Sequence, residues 1–213
     1  MMIIGLTGKN ASGKGEVATY LKTKGFIYYS LSDELREEAT RRKLDHSRET
    51  LISLGNELRE KFGPEYLAKK INEKIKNELK NNARTNTQTK SGIHSVDSGT
   101  NSAGNGKNFV VDSIRSPFEA KELLKNRDFL LVGIHAPVEI RFERLLKRGR
   151  AGDSKTLEEF KKHEEQENTS NKNAQQLDET FKLAGKVIDN SHSLDDLHKK
   201  IDELLDELSK VKF

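Results

Sequence analysis

Gly8, Lys9, Asn10, Ala11, Ser12, Gly13 and Lys14 form a G-x-x-x-x-G-K run, a pattern suited to gripping a polyphosphate. Phosphate oxygens are held by backbone N–H groups that converge on them, which needs a chain free to enter positive φ. A helix opening at the same point adds unpaired N–H donors and the positive end of its dipole. Lys14 supplies a mobile cation toward the β and γ phosphates of a nucleoside triphosphate such as ATP. An ordinary glycine-bearing turn is the plain alternative. The apolar run Met2 to Thr7 before it and the helical pattern after it favour the phosphate loop.

The next two positions depart from the commonest form of such a loop. Gly15 stands where Ser or Thr usually offers a hydroxyl to Mg²⁺, and Glu16 follows. A carboxylate in the first helical turn favours the dipole but repels phosphate unless a cation lies between. Either Glu16 helps hold Mg²⁺, or it points away and leaves the metal to Asp112, the reading preferred here.

Further along, Ser30, Ser32, Asp33 and Arg36 open a helix in a capping pattern, so Arg36 is either an exposed helical arginine or a fork for an acceptor phosphate. Asp112 ends an apolar strand and Arg115 follows it, a place for a metal-holding carboxylate or for a simple turn cap. Arg144 and Arg148 are four apart and share a helix face, with Arg150 beyond the helix end. Such arginines neutralise a phosphoryl group in transit, or they form a solvated basic face.

The Gly13, Lys14, Gly15 sequence resembles the loop of adenylate kinases, in which threonine then stands at the Glu16 position. Tyr29 to Arg36 is similar, residue for residue, to the stretch of that family that opens its monophosphate-binding region. That resemblance implies an acceptor site built from Ser30, Ser32, Asp33, Arg36 and Arg115. The segment Arg141 to Asp153 resembles the start of the lid of adenylate and UMP/CMP kinases, which implies catalytic roles for Arg144, Arg148 and Arg150 beside Lys14. Ile4 to Gly8 and the tail Lys186 to Leu197 are similar to dephospho-coenzyme A kinases. The Gly-Lys-Gly-Glu loop, Asp112 to Arg115, Ala136-Pro137 and the tail also resemble an archaeal nucleotide-kinase-like family. Together these imply ATP with Mg²⁺ as donor and a nucleotide-like small molecule as acceptor. A dephospho-coenzyme A kinase-like activity, or an ATP-binding regulator or assembly factor with weak ATPase, is the alternative.

To hold these groups on one rim, the chain has to build a parallel sheet, because ligands sit at the carboxyl ends of its strands. Met2 to Thr7, Phe26 to Tyr29, Phe109 to Asp112, Phe129 to Ile134 and Lys186 to Asn190 predict five strands, alternating with helices. The predicted fold is α/β: a three-layer phosphate-loop fold with a five-stranded parallel sheet and helices on both faces, as one domain over 1–213. Leucines and isoleucines from Leu51 to Leu79 at three-to-four spacing predict two amphipathic helices within an acceptor-binding region at 31–80. A lid is expected at 141–168. Residues 81–107 are rich in Asn, Ser, Thr and Gly, with too few apolar side chains to offset ordering, and predict a disordered or loosely ordered insertion.

Composition narrows the remaining choices. With 38 basic against 34 acidic residues, the net charge of +4 is too small and dispersed to indicate a nucleic-acid surface. No run is long or apolar enough for a membrane span. The absence of cysteine removes disulfides, thiolate metal sites and cysteine nucleophiles, and a cytoplasmic setting is the expectation.

Overall fold

The computed structural model describes residues 1–88, 107–149, 153–168, 171 and 174–210. Five strands form one sheet: β1 (Ile3–Thr7), β2 (Ile27–Ser30), β3 (Phe109–Asp112), β4 (Phe129–His135) and β5 (Lys186–Asp189), in the order β2-β3-β1-β4-β5. Every pairing is parallel, with Ile3 beside Phe109 and Phe129, Ser30 beside Asp112, and His135 beside Asp189.

Alternation along the strands divides the core between the two faces of the sheet. Ile3, Phe109, Val111 and Leu131 pack on one face with Leu67, Ile71 and Ile75 of α4 (Tyr66–Gln88) and Ala120 and Leu123 of α5 (Pro117–Leu123). Ile4, Leu6, Val110 and Val132 pack on the other, with Val17 and Leu21 of α1 (Lys14–Thr23) and Leu197 and Ile201 of α9 (Leu194–Lys210). Both faces are covered, which explains why the inner strands are apolar throughout. The predicted three-layer phosphate-loop fold is the one observed.

Two helices stand off this sandwich, α2 (Leu31–Arg41) and α3 (Arg48–Phe62), joined by their own small core of Ala39, Leu54 and Leu58. Ser30 caps α2 by accepting the Ser32 N–H, and Ser47 caps α3 by accepting that of Thr50. Phe62, four residues beyond Leu58 and last in α3, is 46% exposed and stacks on Tyr66. Beyond β4 come α6 (Val138–Arg148), α7 (Leu157–Glu167) and the short α8 (Leu177–Phe181).

The first part of the polar insertion expected from Asn81 is helical, since α4 carries on as far as Gln88. Residues 89–106 of that expectation lie outside the described residues, as does Arg150. Among the described residues, no helix is long and apolar enough to cross a membrane.

Candidate active site

The loop from Gly8 to Gly13 leaves the end of β1 and turns into α1 through backbone that only glycine adopts without strain. Gly8 has φ +144° and a Cβ there would lie 2.3 Å from the Ile134 carbonyl oxygen; Gly13, with φ +103°, would put a Cβ 2.1 Å from Asn190 Nδ2. Because α1 begins at Lys14, the N–H groups of Lys14, Gly15 and Glu16 have no acceptor within the helix and stand at its positive end. Lys14 Nζ folds back over the loop, donating to the carbonyls of Gly8 at 2.7 Å and Lys9 at 3.0 Å. A cation parked on carbonyl oxygens is readily exchanged onto phosphate oxygens, which bind it more strongly.

One face of α6 and the end of β5 hold this loop in shape. Arg141, 4% exposed, donates to the carbonyls of Ala136 (2.9 Å) and Asn10 (3.2 Å) and forms a two-pronged pair with Glu164 of α7. Arg144 donates to the Asn190 carbonyl at 2.9 Å, and the Asn190 amide donates to the Ser12 carbonyl at 2.9 Å. Arg148 reaches Asn10 Oδ1 at 3.3 Å while gripping Asp153 with two hydrogen bonds. Arg144 Nη1 is buried with no hydrogen-bond partner among the described residues and lies 4.0 Å from where a Cβ on Gly13 would be, so it faces the phosphate loop. The Ser12 hydroxyl is likewise buried and unpartnered there. Ser191 donates to Asp189, holding that carboxyl below its ordinary range at the neighbouring strand end.

A cavity of about 660 Å³ opens beside the loop, between α2, α3 and the segment after β3. Of the expected acceptor residues, Ser32, Arg36 and Arg115 line it, together with Asn10 of the loop and Arg148 of α6. Ser30 and Asp33 do not line it. Ser30 spends its hydroxyl on capping α2 and on Ser113 at 3.4 Å, and Asp33 pairs with Arg36 at 2.9 Å. Arg115 donates to Gln175 at 2.9 Å, and its backbone N–H donates to Glu119 at 3.0 Å. Arg144 is set against the loop rather than in this cavity.

The residues around Asp112 fit a magnesium ion held mainly through water. Asp112 ends β3, next to the strand that feeds the loop, and is 9% exposed; one carboxylate oxygen takes the Ser113 N–H at 2.5 Å, and the other takes no hydrogen bond among the described residues. With the hydroxyls of Ser30 and Ser113 close by, the donors are hard oxygens, and Mg²⁺ commonly binds through one or two carboxylates, phosphates and retained waters. Glu16 is solvent-exposed on the first turn of α1, and a Cβ on Gly15 would meet nothing within 4 Å. Among the described residues, no group of three or more His, Asp or Glu side chains forms a ready-made metal cage.

Three residues of this site carried no sequence signal of their own, Asn190, Arg59 and Glu119, and Arg141 was named only as the start of the lid segment. Arg141 could have been found as the third member of the 141, 144, 148 stripe. Arg59 lines the cavity and pairs with Glu119 at 2.9 Å, with side-chain exposures of 6% and 0%.

A family model described as an AAA domain matches residues 4–178. The UPF0200 protein PH1008 of Pyrococcus horikoshii is 30% identical over 210 residues, covering 97% of each chain. A crystal structure of an uncharacterized protein from Eubacterium ventriosum is similar at a TM-score of 0.50 and 14% identity, over 99% of this chain and 100% of that one. Dephospho-CoA kinase from Campylobacter jejuni matches at a TM-score of 0.48 and 16% identity, over 98% of each chain. Neither structural likeness bears on the acceptor.

Proposed function

The chain belongs to the UPF0200 family, and we propose that it transfers the γ-phosphoryl group of ATP to a nucleoside monophosphate or another nucleotide-like acceptor. The observation that carries this reading is one cavity bordered by Asn10 of the phosphate loop on one side and by Arg36, Arg115 and Arg148 on the others. An ATPase needs only the loop. A second, arginine-lined chamber of about 660 Å³ opening onto it is what a phosphoryl acceptor requires.

In this reading the loop N–H groups and Lys14 hold the β and γ phosphates. Arg36 and Arg115 orient the acceptor for in-line approach, and Arg148, together with Arg144 and Arg150 on the lid segment, balances charge as the phosphoryl group moves. Asp112 is the residue that would hold Mg²⁺, which would supply positive charge to offset that of the phosphates. Glu16, exposed on α1, is left to the helix dipole.

One observation favours a second reading, an ATP-binding regulator with weak hydrolysis: the open space at Gly15, where a metal-binding hydroxyl is expected, leaves the metal with fewer protein ligands. The two readings part on the arginines. For a kinase, Arg36→Ala and Arg115→Ala weaken use of the acceptor and leave ATP binding intact; for a regulator, neither changes turnover. ADP formation from ATP, measured with and without a panel of nucleoside monophosphates and dephospho-coenzyme A, tests the proposal, which fails if no acceptor accelerates it.

A further inference from the structure

Arg59 sits on α3, 5% exposed, in the wall of the acceptor cavity, and its surroundings hold its guanidinium at a fixed place. Nε and Nη2 both donate to a single oxygen of Glu119, at 3.1 and 2.9 Å. The other Glu119 oxygen takes the backbone N–H of Arg115, so one buried carboxylate fixes Arg59 and the start of the Arg115 segment together. Nη1 donates to no described group. That leaves a charged edge of the fork at a cavity wall.

Two features of the chain bear on that edge independently. A fully buried ion pair costs desolvation that its attraction barely offsets, so packing alone is served as well or better by two apolar side chains; the pair at 6% and 0% exposure needs another reason. Gly55, in the middle of α3, is a residue that weakens a helix relative to alanine. A Cβ there would lie 3.0 Å from Arg59 Nη1, so the missing methyl is the room in which the unpaired edge sits.

We propose that Arg59 is an acceptor-binding residue: with Arg115 it forms a two-guanidinium seat for a phosphate monoester dianion of the acceptor, and Glu119 positions both. The seat deepens the kinase reading and rests on it for the identity of the ligand, since it makes the acceptor a phosphorylated molecule rather than a neutral alcohol. Guanidinium presents parallel N–H donors that match phosphate oxygens, which an ammonium in the same place does not.

The test uses the whole chain with its phosphate loop saturated by Mg²⁺ and a non-hydrolysable ATP analogue. Nucleoside 5′-monophosphates and inorganic phosphate are then titrated by calorimetry. Arg59→Lys keeps a cation opposite Glu119 but loses the fork, and is expected to weaken monophosphate binding about tenfold or more. Gly55→Ala keeps both partners, presses on Nη1, and is expected to weaken binding severalfold in a chain that still folds. Affinity for the ATP analogue stays within about twofold in both. The seat is overturned if the parent binds neither probe, or if both variants, folded by circular dichroism, bind them as the parent does. If the parent binds monophosphate through Arg59 but never phosphorylates it, the seat stands and the kinase reading falls.

Discussion

The side-chain amide of Asn190, at the end of β5, donates a 2.9 Å hydrogen bond to the carbonyl of Ser12, 178 residues earlier in the chain. The bond is buried, and it fixes the far side of the phosphate loop where Gly13 has no side chain to compete for the space. Arg144 holds Asn190 in turn. The loop is therefore shaped from outside, by α6 and β5, as much as by its own glycines.

Asn190→Ala is expected to leave the Ser12 carbonyl buried without a donor, a cost of about 1–3 kcal/mol shared between stability and loop order. ATP affinity should fall about tenfold, measured by titration of a fluorescent ATP analogue. Asn190→Asp should be worse, since it sets an acceptor against an acceptor. An unchanged affinity in both would show that the loop keeps its shape unaided.

Arg141 does for the near side of the loop what Asn190 does for the far side. With 4% exposure and a two-pronged partner in Glu164, removal of either member strands a buried charge, at about 3–5 kcal/mol. Glu164→Gln should lower the melting temperature by several degrees and weaken ATP binding, because Arg141 also carries the Asn10 carbonyl. A variant that loses stability but keeps parental ATP affinity would separate α7 from the loop.

Gly15→Ser probes the missing hydroxyl. A side chain there meets nothing within 4 Å, and serine in the first turn of a helix costs less than glycine, so stability should hold or rise by about 0.5 kcal/mol. If Mg²⁺ in the parent depends on Asp112, the added hydroxyl should tighten the Mg²⁺ dependence of ATP binding, whereas Asp112→Asn in the parent should weaken it. Titration of ATP binding against Mg²⁺ concentration reads both.

Acid should loosen α2 from α3. Arg41 first, then Arg42, which also reaches Glu57 of α3, hold the Glu38 carboxyl down to about 2 against its usual 4.5, while partial burial opposes them. A depressed folded-state value contributes stability that is fully present above the unfolded value and is lost as pH falls from about 4.5 through about 2. Thermal unfolding followed over that range should fall less steeply in Glu38→Gln than in the parent.

What was legible in the sequence was what lies contiguous in it. The phosphate loop shows because strand, turn and helix follow one another within Ile3 to Thr23, and Arg36, Arg115 and Arg148 show because each sits at a fixed offset from a strand end or a helix stripe. The groups that hold them do not. Arg59 meets Glu119 across 60 positions, Arg141 meets Asn10 across 131, and Asn190 meets Ser12 across 178, distances over which no periodicity carries information. Ser30 and Asp33 illustrate the reverse difficulty: their spacing suits an acceptor site, yet capping α2 and pairing with Arg36 occupy them. The polar stretch after Asn81 reads as unordered by composition, but a helix already nucleated on the core of α4 extends through its first residues at little cost.

In the proposed reaction a phosphoryl acceptor sits between Arg36 and Arg115, opposite Lys14. Acceptor-dependent ADP formation in the parent, Lys14→Ala, Arg36→Ala and Arg115→Ala, each with ATP affinity measured alongside, tests it most directly. Turnover is expected to be accelerated by a nucleotide-like acceptor and abolished in Lys14→Ala. In the two arginine variants kcat/KM for the acceptor should fall about a hundredfold, the loss of one charge-assisted contact each, with ATP affinity kept. ATP turnover that no acceptor stimulates and that neither arginine affects would contradict it.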